Sequence, residues 1–266
     1  MFKGNYNFFE YKYNITGYNG QDYGGIAQHL YLISSVILIT ILLIILRKSS
    51  EEKVLKIIKF LSVFLIIFYI SKTVWESYYD IKYSGDFNTG LLPFDTCSII
   101  MLASLIFAFS KGKIKDYAGA WLSTGGIVGG IGAMVYLNAF KYYPFFSFGA
   151  FYSMIWHFLM VFIGLLLIVT KNVDIKYKTI IKGYIFHLII SLIVIPIDFI
   201  YDFDFMLYKY LGGVPIFEKI AENLCNSHLS FLNPIMMLGL YFIAFNIVFL
   251  IPMAIYRISD KLNVKS

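Results

Sequence analysis

Seven long, predominantly apolar stretches follow one another along the chain, separated by short polar segments. They cover residues 26–46, 54–75, 91–109, 118–140, 148–170, 180–200 and 232–257. About 20 apolar residues is the length at which an α-helix crosses the hydrocarbon of a bilayer. Their nearly uniform apolarity also separates them from surface helices, which carry one polar face. The pattern predicts an all-α polytopic membrane protein with seven transmembrane helices.

The composition supports a lipid environment for most of the chain. Hydrophobic residues make up 59% of the sequence and charged residues only 14%, with a mean hydropathy of +0.73. A soluble domain carries about 25% charged residues, and its surface could not hide so much apolar area. Soluble, disordered, collagen-like, coiled-coil and disulfide-scaffold classes are therefore excluded.

Basic residues fall on alternate loops, so the net charge of +6 indicates topology. The positive-inside rule places the N-terminus outside and the C-terminus in the cytoplasm of the cell membrane. We expect no nucleic-acid partner and, because residues 1–28 lack the pattern of a signal peptide, no cleaved leader. One set of loops and the C-terminal tail holds fifteen of the 22 basic residues: Arg47, Lys48, Lys53, Lys56, Lys59, Lys111, Lys113, Lys115, Lys171, Lys176, Lys178, Lys182, Arg257, Lys261 and Lys265.

The chain is predicted to form a single seven-helix domain. Residues 1–25 form an outer N-terminal segment, and residues 201–231 form an outer loop between the sixth and seventh helices. Aromatic residues in this loop suggest a re-entrant or interfacial cap. The fourth span contains two overlapping pairs of small residues, Gly125/Gly129 and Gly126/Gly130, which indicate close helix packing.

Ionisable residues within the spans gather towards the outer side. Such residues are costly in lipid, so each is a candidate for function. Lys72 and Glu76 end the second span four residues apart and can neutralise each other. They form either a structural ion pair or a charged wall for a polar lipid headgroup. Asp95, near the start of the third span, either caps that helix or joins the same wall.

Cys97 and His157 are the candidates for chemistry. At 1.5 Å per helical residue, Cys97 lies roughly 9 Å and His157 roughly 13 Å below the outer edge, so the two can share a layer. Ser153 precedes His157 by one turn and lies on the same face. The simpler alternatives are a small buried cysteine and a histidine that hydrogen-bonds between helices.

Two other histidines frame this layer. His29 starts the first span on the outer side. His187 lies in the inner half of the sixth span, where no titratable partner is predicted, and we interpret it as structural. The one-sided arrangement of the remaining polar residues indicates a cavity open to the outer leaflet. The cysteines and histidines show no metal-ligand spacing, and we expect neither a metal nor a cofactor.

Three short motifs together resemble one family of membrane proteins. They are Gln28-His29-Leu30, Leu92-Pro93-Phe94-Asp95-Thr96-Cys97 and Trp156-His157. The sequence resembles the YwaF-type bacterial integral membrane family, which also includes the eukaryotic transmembrane protein 164, over residues 27–258. The resemblance implies seven spans and a phospholipid acyltransferase that works through a cysteine and a histidine, corresponding to Cys97 and His157. The family commonly has histidine or another polar residue where Asp95 stands.

The sequence therefore predicts a membrane-embedded lipid acyltransferase, or a phospholipase if water accepts the acyl chain. Cys97 would be the nucleophile and His157 the base. The lipid would be bound by the remaining polar residues of the outer layer: Lys72, Glu76, Asp95, His29 and Ser153. Membrane phospholipids are the expected partners.

Two alternatives stay open. Intramembrane charges at Lys72, Glu76, Asp95 and Asp198 would also suit a transporter or permease of small solutes. A disulfide between Cys97 and Cys225 would remove the nucleophile.

Overall fold

The computed structural model describes residues 6–18, 20, 25–85, 91–136, 139–210, 219–220, 222–224 and 229–263, with side chains up to Arg257. This part of the chain is α-helical without β-strands, which confirms the all-α class. Three polar residues predicted on the outer side, Asn138, Cys225 and His228, lie outside the described residues.

The helices follow one another with short connections. A π-helical turn, Leu122–Gly126, joins α4 to α5 without a break. Two 3₁₀ turns, Phe205–Leu207 and Ser230–Leu232, lie between the last two helices. The helices are α1 Ile26–Leu46, α2 Glu51–Ser84, α3 Ile99–Phe109, α4 Gly112–Trp121, α5 Ile127–Val135, α6 Ala139–Tyr142, α7 Phe148–Val169, α8 Tyr177–Tyr201 and α9 Asn233–Asn263.

Within the described residues, six helical segments are long and apolar enough to cross a membrane, and the third predicted span is not among them. The helix α3 has 11 residues, about 16 Å of rise, roughly half of the hydrocarbon thickness. Residues 91–98 form turns instead, closed by Phe94 N–H to Leu92 O (2.9 Å) and Ser98 N–H to Asp95 O (2.8 Å). The prediction of a continuous helix over 91–109 is therefore wrong in this part.

The local sequence explains why the helix does not start earlier. Pro93 has no N–H to donate. The short polar side chains of Asp95, Thr96 and Ser98 compete with helical hydrogen bonding. The depth of Cys97 estimated from helical rise consequently does not apply.

Contacts between distant segments define two ends of the bundle. At the basic end, Lys115 Nζ lies 3.1 Å from Glu51 and Lys182 Nζ 2.9 Å from Asp116. At the aromatic end, the N-terminal segment packs on α2 and α7: Trp75 Nε1 donates to Phe9 O at 2.9 Å and Phe148 N–H to Phe8 O at 2.6 Å. The helices α2 and α7 therefore run in opposite directions, as the loop charges predict. The side of the membrane that each end faces stays a prediction.

Close packing around glycines forms the centre of the bundle. A Cβ atom on Gly164 of α7 would lie 2.5 Å from Leu122 O and collide with Ile127. A Cβ on Gly130 of α5 would lie 2.7 Å from a methyl group of Val161. The continuous segment from α4 to α5, which is the fourth predicted span, and α7 therefore approach as closely as their backbones allow. This supports the packing interpretation of the glycine-rich span.

Replacing Gly164 by alanine should destabilise the protein by about 1–3 kcal/mol, the usual cost of overpacking a close contact. The matched control is Gly132→Ala, because a Cβ there meets nothing within 4 Å. Thermal unfolding in detergent should show a lower midpoint for Gly164→Ala and an unchanged or slightly higher one for Gly132→Ala. Equal midpoints would contradict the packing at Gly164.

A buried tyrosine fastens the N-terminal segment to α2. Tyr11 is 1% exposed, and its hydroxyl donates to Asp80 Oδ1 at 2.8 Å. Burial, and then the hydrogen bond to the Asp80 carboxylate, raise the pKa of the Tyr11 hydroxyl above its ordinary value. Tyr11 is therefore protonated and donates at neutral pH.

Tyr11→Phe should release residues 6–18 from α2, because it leaves the buried Asp80 without this donor at a cost of about 1–3 kcal/mol. Hydrogen exchange of this segment should accelerate in Tyr11→Phe but not in Tyr13→Phe, whose ring is 62% exposed. In the unchanged protein, the N-terminal segment should stay packed on α2 below pH 10 and loosen above it. The reason is that the Tyr11 hydroxyl has its ordinary, lower pKa when the segment is released, so high pH favours the released state. No difference between the two variants would count against the Tyr11 anchor.

Candidate functional site

Cys97 lies in the turn just before α3, whose N-cap residue is Ser98. Its thiol is free and half-buried. Two aromatic side chains hold the carbonyl groups of this turn: Trp156 Nε1 of α7 donates to Cys97 O at 3.0 Å, and the Tyr69 hydroxyl of α2 donates to Leu91 O. Because lipid offers no hydrogen bonds, such donors are what permit a non-helical backbone at membrane depth.

The other side of the turn is held by α9 and by the segment that follows α8. The hydroxyls of Thr96 and Tyr241 lie 2.7 Å apart. The Tyr241 hydroxyl is also 3.3 Å from Met206 O. The rings of Phe94 and Phe205 pack edge to face at 5.6 Å. The Cys97 turn is therefore enclosed by α2, α7, α9 and the chain after α8.

Three of the predicted lipid-binding residues lie on α2 and on the Cys97 turn that α2 holds. Lys72 and Glu76 form an ion pair on α2. The charge of Lys72 acts through space on Asp95, and Asp95 acts in turn on the Cys97 thiol. Lys72 Nζ also lies 5.7 Å from the ring centre of Tyr152. Lys72, Glu76, Asp95 and Cys97 consequently belong to one polar layer.

His157 is the residue after Trp156 in α7 and points in a different direction. Consecutive helical residues point about 100° apart, and it is Trp156 that contacts the Cys97 turn. The Nδ1 atom of His157 is 3.4 Å from the Ser153 hydroxyl, so these two predicted residues do meet. Among the described residues, no hydrogen bond joins the Cys97 thiol to His157.

His29 is apart from this layer. Its ring is exposed at the start of α1, with Nδ1 3.0 Å from Gly25 O. The structure records no hydrogen bond from this ring to Cys97 or His157 within the described part of the chain. His29 therefore stays a predicted lipid contact without a partner at the Cys97 turn.

Sequence reasoning missed the aromatic walls of the site. Tyr152 and Trp156 stack at 5.3 Å, and Tyr69 lies 5.9 Å from Trp156. Their spacing carried a usable signal, because Tyr69 and Tyr152 fall on the same helical faces as Lys72 and Trp156. Tyr241 carried no such signal, since it lies 145 residues from Thr96.

His187 has partners that the sequence did not predict. Trp121 Nε1 donates to its Nδ1 at 3.4 Å, and the Tyr208 hydroxyl lies 3.2 Å from its Nε2. Tyr208 is reached because the chain after α8 folds back into the bundle, where Phe205 N–H binds Asp198 Oδ1 at 2.9 Å. The expected re-entrant or interfacial cap over 201–231 stays a prediction, of which residues 203–208 are seen to fold back. The expectation that His187 has no titratable neighbour is wrong.

The hydrogen bonds around His187 form a closed ring. An Nδ1 that accepts from Trp121 leaves Nε2 as the donor to Tyr208. The Tyr208 hydroxyl lies 2.5 Å from Ser191 Oγ, which donates to His187 O at 2.8 Å. Every polar atom of the ring is satisfied with a neutral histidine, which agrees with a structural role.

A lipid-facing groove runs along α7 on both sides of His157 in sequence. It has a volume of about 470 Å³ between α1, α2 and α7, and Met154, Ile155 and Phe158 contribute to its apolar wall. Neither Cys97 nor His157 contributes to the wall of this groove. Within the described residues, no cluster of three potential metal ligands occurs.

The fold and the interrupted third pass define a polytopic, all-α membrane protein. A family model for the TMEM164 family matches residues 23–256, and the chain belongs to this family. The match confirms the relationship to transmembrane protein 164 indicated by the three motifs, whereas the YwaF-type bacterial relationship stays a prediction. Neither the curated proteins nor the solved structures include a match to the chain.

Trp156→Phe should expose Cys97, because it removes the donor that holds the Cys97 carbonyl. One hydrogen bond contributes about 0.5–1.5 kcal/mol, so alkylation of Cys97 by N-ethylmaleimide should accelerate by about 2- to 10-fold. The measurement uses a Cys225→Ser background, in which Cys97 is the sole cysteine.

Trp75→Phe is the matched control, since Trp75 also donates to a backbone carbonyl, that of Phe9 at the aromatic end. Its alkylation rate should equal that of the unchanged protein. Equal rates in all three proteins would show that Trp156 does not restrain the Cys97 turn.

Proposed function

We propose that this protein is a membrane-embedded phospholipid acyltransferase with Cys97 as nucleophile and His157 as base. The observation that carries the proposal is the 3.0 Å hydrogen bond from Trp156 to the Cys97 carbonyl. It fastens the cysteine turn to α7 at the residue next to His157, although the two segments are 59 residues apart. The family resemblance supplies the same pair of residues independently.

The reaction would proceed through a thioester. His157 takes the thiol proton of Cys97, and the thiolate attacks the ester carbonyl of a phospholipid. The ester C–O bond breaks, and the lysophospholipid leaves with the proton from His157. A hydroxyl of a second lipid then attacks the thioester, His157 takes its proton, and Cys97 leaves as a thiolate that is reprotonated. With water as acceptor, the same steps hydrolyse the lipid.

The surroundings of Cys97 suit this chemistry in two ways. The hydroxyls of Thr96 and Ser98, the residues on either side of Cys97, can stabilise an oxyanion. The ion pair of Lys72 and Glu76, on the same layer, offers a charged wall to a polar lipid headgroup. The apolar groove along α7 has a volume of about 470 Å³ and an apolar wall, which suit an acyl chain.

The proposal requires His157 to turn towards the Cys97 thiol when lipid binds. Its bond to Ser153 is long, at 3.4 Å, and such a bond is weak. Catalytic hydrogen bonds often tighten only in the complex with substrate. Ser153 would then orient the ring through Nδ1, and Nε2 would act as the base.

The test is acyl transfer in vesicles that contain a phospholipid labelled in one acyl chain and an unlabelled lysophospholipid. Cys97→Ala and His157→Ala should each lower the transfer rate by about 100-fold or more, as expected for loss of a nucleophile or a general base. Cys225→Ser, which removes the other cysteine, should keep the rate. Transfer at the unchanged rate in Cys97→Ala or in His157→Ala would refute the assigned role.

The interrupted passes favour a second candidate, a transporter of small solutes. Transporters bind their solutes at broken helices, and here the turns at 91–98 lie against the fourth pass, with Thr96 3.5 Å from a Cβ built on Gly129. Against this candidate, the hydrogen bonds of the His187 side chain close on Trp121 and Tyr208 and do not continue towards the basic end. Solute uptake by proteoliposomes, combined with absent acyl transfer, would establish this second function instead.

A further inference from the structure

A second apolar groove reaches the basic end of the bundle. It lies between α5, α7 and α9, with a volume of about 520 Å³. Its wall is apolar except at its mouth, where Lys171 and Tyr256 lie. The apolar part includes Ile131, Leu165, Val248, Ile251 and Ile255.

A polar cavity of about 220 Å³ shares the lining residue Lys171 with this groove. The polar cavity is lined by the connections that form the basic end. Two of its lysines are already matched by carboxylates: Lys115 lies 3.1 Å from Glu51 and Lys182 2.9 Å from Asp116. Lys171 has no ion pair among the described residues, so its charge is available to a ligand.

The position of Lys171 is fixed by the fold. Its backbone adopts the left-handed region with φ 56°, which is strained for a residue with a side chain. Its N–H donates to Ile168 O at 3.1 Å, and its Nζ lies 5.2 Å from the ring centre of Tyr256. This left-handed backbone ends α7 in the usual way, since Asn172 N–H also donates to Leu167 O at 2.9 Å. The ammonium group is therefore held by the helix end, beside both the apolar groove and the polar cavity.

We propose that the groove and the polar cavity together bind one phospholipid from the leaflet at the basic end. One acyl chain occupies the groove, the phosphate contacts Lys171, and the headgroup enters the polar cavity. A lysine at the rim of an apolar groove matches the junction of chain and phosphate, since its stem packs against apolar surface while its charge stays at the interface. Neither cavity has Cys97 or His157 in its wall, so the proposal does not rest on the proposed acyl transfer.

The test measures retention of dioleoyl phosphatidylethanolamine by native mass spectrometry of the full chain in detergent. Ile251→Trp fills the groove, and Ile247→Trp is its control, because Ile247 is equally exposed on α9 (61% against 58%) but does not line the groove. Lys171→Ala removes the charge, and Lys178→Ala is its control, a nearby exposed lysine outside both cavities.

The unchanged protein and both controls should retain one lipid. Ile251→Trp and Lys171→Ala should each weaken binding by about tenfold or more, and Lys171→Arg should restore it. Dioleoylglycerol, which lacks the phosphate, should not be retained by any of the proteins. Thermal midpoints of the lipid-free variants confirm that each is folded before retention is compared.

Three results would overturn the proposal. Equal retention in test and control variants would show that the groove carries only exchanging bulk lipid. Loss in Ile251→Trp without loss in Lys171→Ala would show that no phosphate contacts Lys171. A dimer that Ile251→Trp converts to a monomer, with lipid retention unchanged, would show that a second copy of the chain covers the groove.

Discussion

Backbone polar groups within a bilayer need partners from the protein, and this constraint shapes the whole site. The third pass leaves its helix at residues 91–98, where water is not at hand to satisfy the freed carbonyls. Trp156 and Tyr69 supply donors to two of these carbonyls, while Tyr241 binds the side chain of Thr96. Three passes and the re-entrant chain after α8 are consequently gathered around one turn. Without these donors, the unpaired carbonyls would make the turn less stable than a continuous spanning helix.

The same arrangement decides what Cys97 can do. A cysteine within a continuous lipid-facing helix would behave as a small apolar side chain. In this turn it instead lies outside the helix, between the hydroxyls of Thr96 and Ser98 in sequence and in one layer with Lys72, Glu76 and Asp95. The basic end carries no comparable nucleophile among its described residues, and its Lys171 is suited to holding a phosphate rather than to breaking an ester. Lipid chemistry and lipid binding are thus assigned to opposite ends of the bundle.

Hydropathy and loop charge were sufficient to predict most of the architecture. The first helix has the predicted bounds, Ile26–Leu46, because long apolar runs have few ways to satisfy their backbone in lipid. The turn at 91–98 was not predicted, although Pro93 and the short polar residues around it contained the signal. The sequence singled out Lys72, Asp95 and Cys97 as ionisable residues in lipid, and they lie on the turn at 91–98 and on the helix α2 that holds it. Tyr208 and Tyr241 were missed because their partners lie on other passes, and periodicity within one helix carries no information on contacts between helices. For the same reason, depth alone did not predict that Trp156, rather than His157, faces the cysteine.

The central claim is that Cys97 forms a covalent acyl intermediate, and intact mass measures this directly. Gently purified protein and its Cys97→Ser variant would be weighed after incubation with phospholipid vesicles, before and after neutral hydroxylamine. The account predicts a fatty-acyl increment on the unchanged protein that hydroxylamine removes and that Cys97→Ser lacks. No increment on the unchanged protein, or a mass lower by two hydrogen atoms from a disulfide between Cys97 and Cys225, would contradict it.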